Sequence, residues 1–435
     1  MPATRPTSAL VLGGGLAGMA AAVRLAEHGV RVTLVEAAKH LGGRASSFDD
    51  PVLGRIDRGQ HVTMGVCRNH LDFLDRVGTL GDWSFDDAQT WVSPDGRTSA
   101  LRPSPLPRPL AFAPAVATAR FLSLNDKARL AAAGLALLGA TPEPGQSFED
   151  FLLRHGQSRS LIERLWEPVA VGACNLSCRD LDAALALSVV RRGFLADASN
   201  ARIGVAARPL GDLYDRVGPI VTAAGGRLLT PCRIESFDAR SATTKNGETL
   251  QADVVVCALS ARQAARLRAP ALATDDRFDK AAAVGSSPII CVHLRYDRPV
   301  MPDPHRVLLG RTADWFFSQD GGSRVAGVIS AASPLDDTPL DDIAARVAED
   351  ARWLFREAQT ATLLRSRAIR ERDATFAATP AVQRPSTTGP SGVLLAGDYT
   401  DTGWPATMES AVLSGYRAAA AALGHDQDHL LAPAG

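Results

Sequence analysis

An α/β fold with a parallel sheet at its centre is predicted by three observations. A glycine-rich segment, Leu10–Gly18 (LVLGGGLAG), stands near the start with Glu36 behind it, and a second, Leu394–Glu409 (LLAGDYTDTGWPATME), lies close to the other end. Between them, short apolar runs such as Asp253–Leu259 alternate with long helical patterns, the rhythm of strands buried on both faces and wrapped by helices.

Taken in order, Ala9–Leu12 is an apolar run suited to a buried strand. Gly13, Gly15 and Gly18 follow in G-x-G-x-x-G spacing, ahead of the apolar helical positions Met19, Ala22, Val23 and Ala26. The first glycine permits a tight turn, the second removes a Cβ where a phosphate must approach, and the third lets helix pack on strand. Leu16 and Ala17 then open the helix with unpaired amides and the positive end of its dipole, a site for a dinucleotide pyrophosphate. Arg31–Val35 reads as a second strand. Glu36 at its end lies about 20 residues beyond the motif, where a carboxylate accepts from ribose hydroxyls.

The chain has 435 residues, 46% of them hydrophobic, enough for two intertwined domains. Its 47 basic and 47 acidic residues cancel, which gives no support for nucleic acid as a partner. Six cysteines in a chain of this length do not make a disulfide framework, and all are expected to be reduced and mostly buried. Cys174 and Cys178 are spaced to share a helical face, but no second pair follows at zinc spacing, so no metal is expected. Leu10–Val23 behind Arg5 imitates a secretory core, yet its glycines already have a reading. No uncharged apolar run reaches the roughly 18 residues of a membrane span. A cytoplasmic protein, at most peripheral to the inner membrane, is expected.

The organisation is discontinuous. Proline-rich Leu101–Pro114 predicts an irregular connection, followed by helical patterns through Phe121–Ala140 and Phe148–Val190. Strand character returns near Arg227, with a turn at Lys245–Glu248 (KNGE) before the buried run Asp253–Leu259. A second excursion, Arg262–Pro385, mixes strand-like PIICVHLRY with a helix around Leu340–Glu357, and Gly392–Ala396 supplies the last strand. These shifts assign 1–78, 205–262 and 386–425 to a dinucleotide-binding domain, and 79–204 with 263–385 to a second, partly helical one.

The segment GGGLAGMAAAVRLAEHGVRVTLVEAAKHLGGRASSF resembles the opening of the amine oxidase and phytoene desaturase superfamily of FAD proteins. Asp57–Gly78 (DRGQHVTMGVCRNHLDFLDRVG), Leu165–Asn175 (LWEPVAVGACN), Ala374–Ala381 (ATFAATPA) and Leu395–Gly415 (LAGDYTDTGWPATMESAVLSG) are similar to its squalene-associated branch, the hydroxysqualene dehydroxylases. The resemblance implies a Rossmann-like FAD-binding domain with an interleaved α+β substrate domain. It implies FAD contacts at Gly43 and Arg44, at Gly59, Gln60 and His61 against the ring, at Ile234, at Gly397 and Asp398, and at Thr407 and Met408. The stretch Trp404–Thr407 is expected to start a helix aimed at the pyrimidine side of the flavin. One departure is Tyr399, where the branch suggests tryptophan. No cysteine lies in this segment, which disfavours a covalent flavin thioether.

The branch's reaction would be loss of an allylic hydroxyl from hydroxysqualene and delivery of hydride from reduced flavin, giving squalene. The proton for the departing oxygen is expected from His61 first, with Asp401 and Glu167 behind it, although His61 reads equally as a structural histidine. A thirty-carbon substrate needs a long apolar tunnel, for which the helical residues between Leu106 and Val190 and the later Trp315, Phe316 and Phe317 are candidates. Such a substrate also implies a peripheral membrane contact, expected through the partly amphipathic Ala111–Leu130, and contact with the upstream squalene-forming synthases. A carotenoid desaturase, an amine oxidase and a non-enzymatic prenyl-lipid carrier are the rival readings. Intact Gly13, Gly15, Gly18, Glu36, Arg44 and Asp398 argue against the carrier.

Overall fold

In the computed structural model, which describes residues 5–433, five parallel strands form the central sheet. The first four residues of the expected 1–78 segment lie outside the described residues. The strand order is Arg227–Leu229, Arg31–Val35, Ser8–Leu12, Val254–Cys257 and Leu394–Leu395, so stretches far apart in sequence lie side by side. Alternation along Ser8–Leu12 sends Ala9 and Val11 towards the first helix, Leu16–Glu27, and the last, Met408–Ala422, while Leu10 and Leu12 meet Phe237, Leu250 and Val255. Each fully buried valine or leucine here contributes about 1.5–3 kcal/mol. The two helices are held close by Gly415, where a Cβ would stand 2.2 Å from the carbonyl oxygen of Ala17.

A seven-stranded sheet forms the second layer, ordered Leu363–Phe376, Ser286–Tyr296, Arg324–Ile329, Trp315–Gln319, His305–Leu308, Gln89–Val92 and Thr98–Leu101. The helix Leu340–Leu354 covers one face through Ile343, Val347 and Ala351, packed on Ile290, Leu294 and Phe316. The other face turns Cys291, Phe317 and Val328 towards Val62 and Val205. Helices between residues 113 and 190, short except for Leu124–Gly139, cap that side.

Several expectations need correction. The pattern Phe148–Val190 is not one helix but a series, with π-helical turns at Ile162–Trp166 and, just beyond, Arg191–Leu195. Asn175, left-handed at φ 57°, ends the helix Glu167–Cys174, so Cys178 leaves the helical face expected to carry both cysteines. Phe121–Ala140 is trimmed to Leu124–Gly139, and Ala113–Thr118 is separate, so Ala111–Leu130 is not a single amphipathic helix. The last helix begins at Met408, not Trp404: Thr407 caps it by accepting from the Ser410 amide at 3.1 Å. All six cysteines are free, five of them buried. No helix among the described residues is long and apolar enough to cross a membrane.

Candidate functional site

The two glycine segments meet at the carboxyl ends of the parallel strands, where open α/β sheets bind ligands. Gly13, at φ 105°, carries the turn out of the first strand, and a Cβ there would lie 2.6 Å from the Ala258 carbonyl oxygen. A Cβ on Gly18 would meet the Gly13 carbonyl oxygen at 1.9 Å, so helix and strand touch backbone to backbone. At Gly15, by contrast, nothing lies within 4 Å of where a Cβ would project. Two of these glycines therefore serve packing, and the middle one keeps a cradle clear in front of the Leu16 and Ala17 amides, which no side chain caps.

Glu36 closes the far side: its carboxylate accepts from the amides of Gly14 and Ala38, each at 2.7 Å. The Cys232 amide donates to the Glu36 carbonyl oxygen at 2.7 Å, which brings half-buried Ile234, two residues on, to the same end of the sheet. Gly43 lies against Gly15, with a Cβ there only 3.2 Å from its Cα. The Arg44 side chain is 39% exposed beside the buried Asp398. Its guanidinium bridges the Ala374 carbonyl oxygen at 2.9 Å and the buried Asp398 carboxylate at 2.5 Å, and that carboxylate raises its pKa.

Arg384, which the sequence did not single out, organises the loop after Gly397. It donates to the carbonyl oxygens of Asp398 and Trp404, each at 2.7 Å, and to that of Thr400. Gly397 is required by Tyr399, whose ring a Cβ would strike at 2.4 Å. Tyr399 is buried in the helical core, so the departure from tryptophan is a matter of packing. Thr407 and Met408 complete this wall as N-cap and first helical residue.

Facing these elements is the Gly59–Gln60–His61 segment. His61 Nδ1 lies 2.9 Å from the Gly59 carbonyl oxygen, which can only accept, so Nδ1 carries the proton and Nε2 is a lone pair in the neutral ring. Burial pushes its pKa down, against the opposing pull of Gly59 and Asp57, and Arg44 adds to the depression. His61 therefore rests neutral, an acceptor rather than the ready proton donor expected of it. The other two nominations are corrected outright. Asp401 is exposed, with its backbone engaged by Pro385 and Arg417. Glu167 accepts from the Cys178 amide at 2.8 Å and so closes the turn after its helix.

A carboxyl the sequence reading missed lies near Glu167. Asp314 accepts from the Ser330 amide at 2.7 Å, and burial, aided by the charge of Glu167, pushes its pKa up to about 7. Trp315 beside it stacks on Phe317 at 5.7 Å, forming an apolar wall with Cys291, Val328, Val62 and Val205. Gly172 lets the helix Glu167–Cys174 approach that wall, since a Cβ there would lie 3.2 Å from Trp315 Nε1. Phe316, expected with its neighbours, points to the opposite face and packs edge-on against Phe355. Further along the strand that carries Trp315 and Phe317, the Gln319 amide nitrogen donates to Gln60 Oε1 at 2.7 Å. A polar pocket of about 240 Å³ opens there, lined by Asp57, Gln60, His61, Arg208, Gln319 and Arg324 among others.

The cleared cradle, the uncapped helix amides and the accessible Arg44 guanidinium fit a dinucleotide. The family model described as flavin containing amine oxidoreductase matches residues 16–423. The chain belongs to that family. It is an FAD oxidoreductase, and its relatives reach along nearly its whole length. A hydroxysqualene dehydroxylase of Rhodopseudomonas palustris is 30% identical over 94% of this chain and 96% of its own length. Another, from Zymomonas mobilis, is 28% identical over 95% and 99%. A zeta-carotene desaturase of Zea mays is 26% identical over 97% of this chain and 84% of its own. Among solved structures, cyclohexylamine oxidase from Brevibacterium oxydans superposes with a TM-score of 0.69 at 16% identity, covering 96% and 99% of the two chains. An oxidoreductase from Methanosarcina mazei gives 0.71 at 15%, covering 94% and 98%. At such identities these two neighbours speak to the flavin oxidoreductase fold alone.

Proposed function

We propose that this FAD enzyme removes the hydroxyl group of hydroxysqualene to give squalene. The reading is carried by the full-length likeness to proteins named for that reaction, and supported by the apolar wall of Trp315 and Phe317. Gly15 and the amides of Leu16 and Ala17 would hold the pyrophosphate, Glu36 the ribose hydroxyls of the adenosine half, with Ile234 nearby. Arg44 would neutralise phosphate, Asp398 would bind the ribityl hydroxyls, and the Met408 amide with Gly59 would border the ring. Bound FAD in its reduced form supplies a hydride equivalent. The chain would orient the allylic carbon near His61, exclude water from the reacting centre, and deliver a proton to the departing oxygen. Because the substrate dissolves in lipid, a peripheral membrane contact belongs to the same reading, at Leu106, Leu110 and Leu124, which are exposed on the helical side. Handover from the upstream squalene-forming synthases would occur there too.

Likeness to zeta-carotene desaturases supports a second reading in which the substrate loses hydride instead of gaining it. Anaerobic enzyme reduced with dithionite separates the two. Oxidation of its visible flavin band by hydroxysqualene, with squalene formed, supports dehydroxylation. Bleaching of oxidised enzyme by zeta-carotene, with no response to hydroxysqualene, supports the desaturase.

A further inference from the structure

We propose that the polar pocket beside His61 is the proton entrance and water exit of the site, and that Asp57 is the residue through which His61 is recharged. This rests on the dehydroxylation reading. The cluster of Trp315, Phe317, Cys291 and Val328 is packed and apolar and offers protons no path, whereas the pocket beside His61 is lined by polar groups. Asp57 and His61 both line that pocket. Asp57 Oδ1 accepts from Ser47 Oγ at 2.5 Å and from the Leu210 amide at 2.9 Å, and Oδ2 has no partner among the described residues. The Asp57 carbonyl oxygen is fixed by His293 Nε2 at 3.1 Å. With Nδ1 committed to Gly59, His61 Nε2 is the one ring nitrogen free to gain and give a proton.

Burial raises the pKa of Asp57 and lowers that of His61, and the charge of each favours the charged form of the other. The remaining charges facing them are Arg324, which favours the Asp57 carboxylate, and Arg44, which opposes imidazolium. Arg55 and Arg208 stand at the pocket wall, and burial holds His70 and His293 neutral behind it. A proton from solvent passes through pocket water, by way of the Asp57 carboxylate, to His61 Nε2, giving imidazolium held beside carboxylate. The Nε2–H bond then breaks as an O–H bond forms on the substrate hydroxyl, and the C–O pair leaves with oxygen as water into the pocket. The allylic carbon takes the hydride equivalent of the reduced cofactor, so the alcohol, one proton and one hydride become hydrocarbon and water.

Asp57→Asn is the test, because an amide oxygen still accepts from Ser47 and Leu210. In the holoenzyme without substrate, the pH dependence of His61 modification by diethyl pyrocarbonate, read by peptide mass spectrometry, reports Nε2 protonation. Its midpoint should fall in the variant, which lacks the carboxylate that supports imidazolium. Single-turnover conversion of hydroxysqualene by dithionite-reduced enzyme should slow by about 10²-fold. An unchanged rate overturns the proposal, even if the midpoint moves, and so does an unchanged midpoint. Ala207→Trp, which narrows the pocket at an exposed position, should slow both reactions and serves where Asp57→Asn fails to fold. If wild-type enzyme leaves hydroxysqualene untouched, the dehydroxylation reading fails, while the midpoint shift still decides the Asp57–His61 couple.

Discussion

The nucleotide end and the reacting end of this molecule are built on different principles. At the first, function is written in backbone: Gly13 and Gly18 are required because neighbouring carbonyl oxygens occupy the space of a Cβ, and Gly15 leaves that space clear. At the second, function depends on which way side chains point and what they are buried against. His61 is made an acceptor by the carbonyl two residues before it, and Phe317 is divided from Phe316 by strand alternation. Backbone requirements tolerate almost no substitution, whereas side-chain chemistry can be changed while the scaffold persists. That asymmetry is what would let one FAD scaffold serve different reactions.

The comparison breaks first at Gly18. Gly18→Val should cost about 3 kcal/mol or more and abolish FAD retention, read by denaturant unfolding and by flavin content after desalting. A variant that kept both would remove the backbone account of the nucleotide end. Acid should expose the reacting end next. Burial depresses His70 to about 3 and His293 to about 4, so their neutral forms are favoured in the fold. Above the ordinary histidine value of 6.5 that contribution is fully present. As pH falls from there towards 4 the unfolded chain binds more protons and stability should drop by a few kcal/mol, a slope that His293→Asn should flatten in urea titrations.

A smaller effect is expected at Arg384, where Arg384→Met leaves the carbonyl oxygens of Asp398, Thr400 and Trp404 without their donor. A loss of about 2 kcal/mol should appear, with weakened FAD affinity, in thermal melts with and without added cofactor. Smallest is Gly172→Leu, which would push Trp315 out of the apolar wall. It should leave FAD content intact while raising the KM for hydroxysqualene about tenfold, and an unchanged KM would place the substrate elsewhere.

The same asymmetry decides how much the sequence discloses. The G-x-G-x-x-G turn, Glu36, the strand at Val254–Cys257 and the parallel core were legible because each rests on local spacing and steric need. The helix boundaries after Phe148 were not, because Asn175 adopts a left-handed turn whose side chain is claimed by Ser287, Thr375 and Ala331, contacts far away in the chain. Asp401 and Glu167 were nominated as carboxylates of plausible position, but exposure and the Cys178 amide take them out of use. Asp57 stood in the quoted DRGQHV segment and was passed over, since its tie to His61 comes from a shared pocket. Arg384 carried no local signal at all.

Whether the His61 pocket serves reductive dehydroxylation is decided by counting products. Enzyme reduced with a known amount of dithionite under anaerobic conditions is mixed with excess hydroxysqualene, and squalene and oxidised flavin are both quantified. One squalene should form per flavin oxidised. Flavin that stays reduced, or flavin oxidised with no squalene, would contradict it.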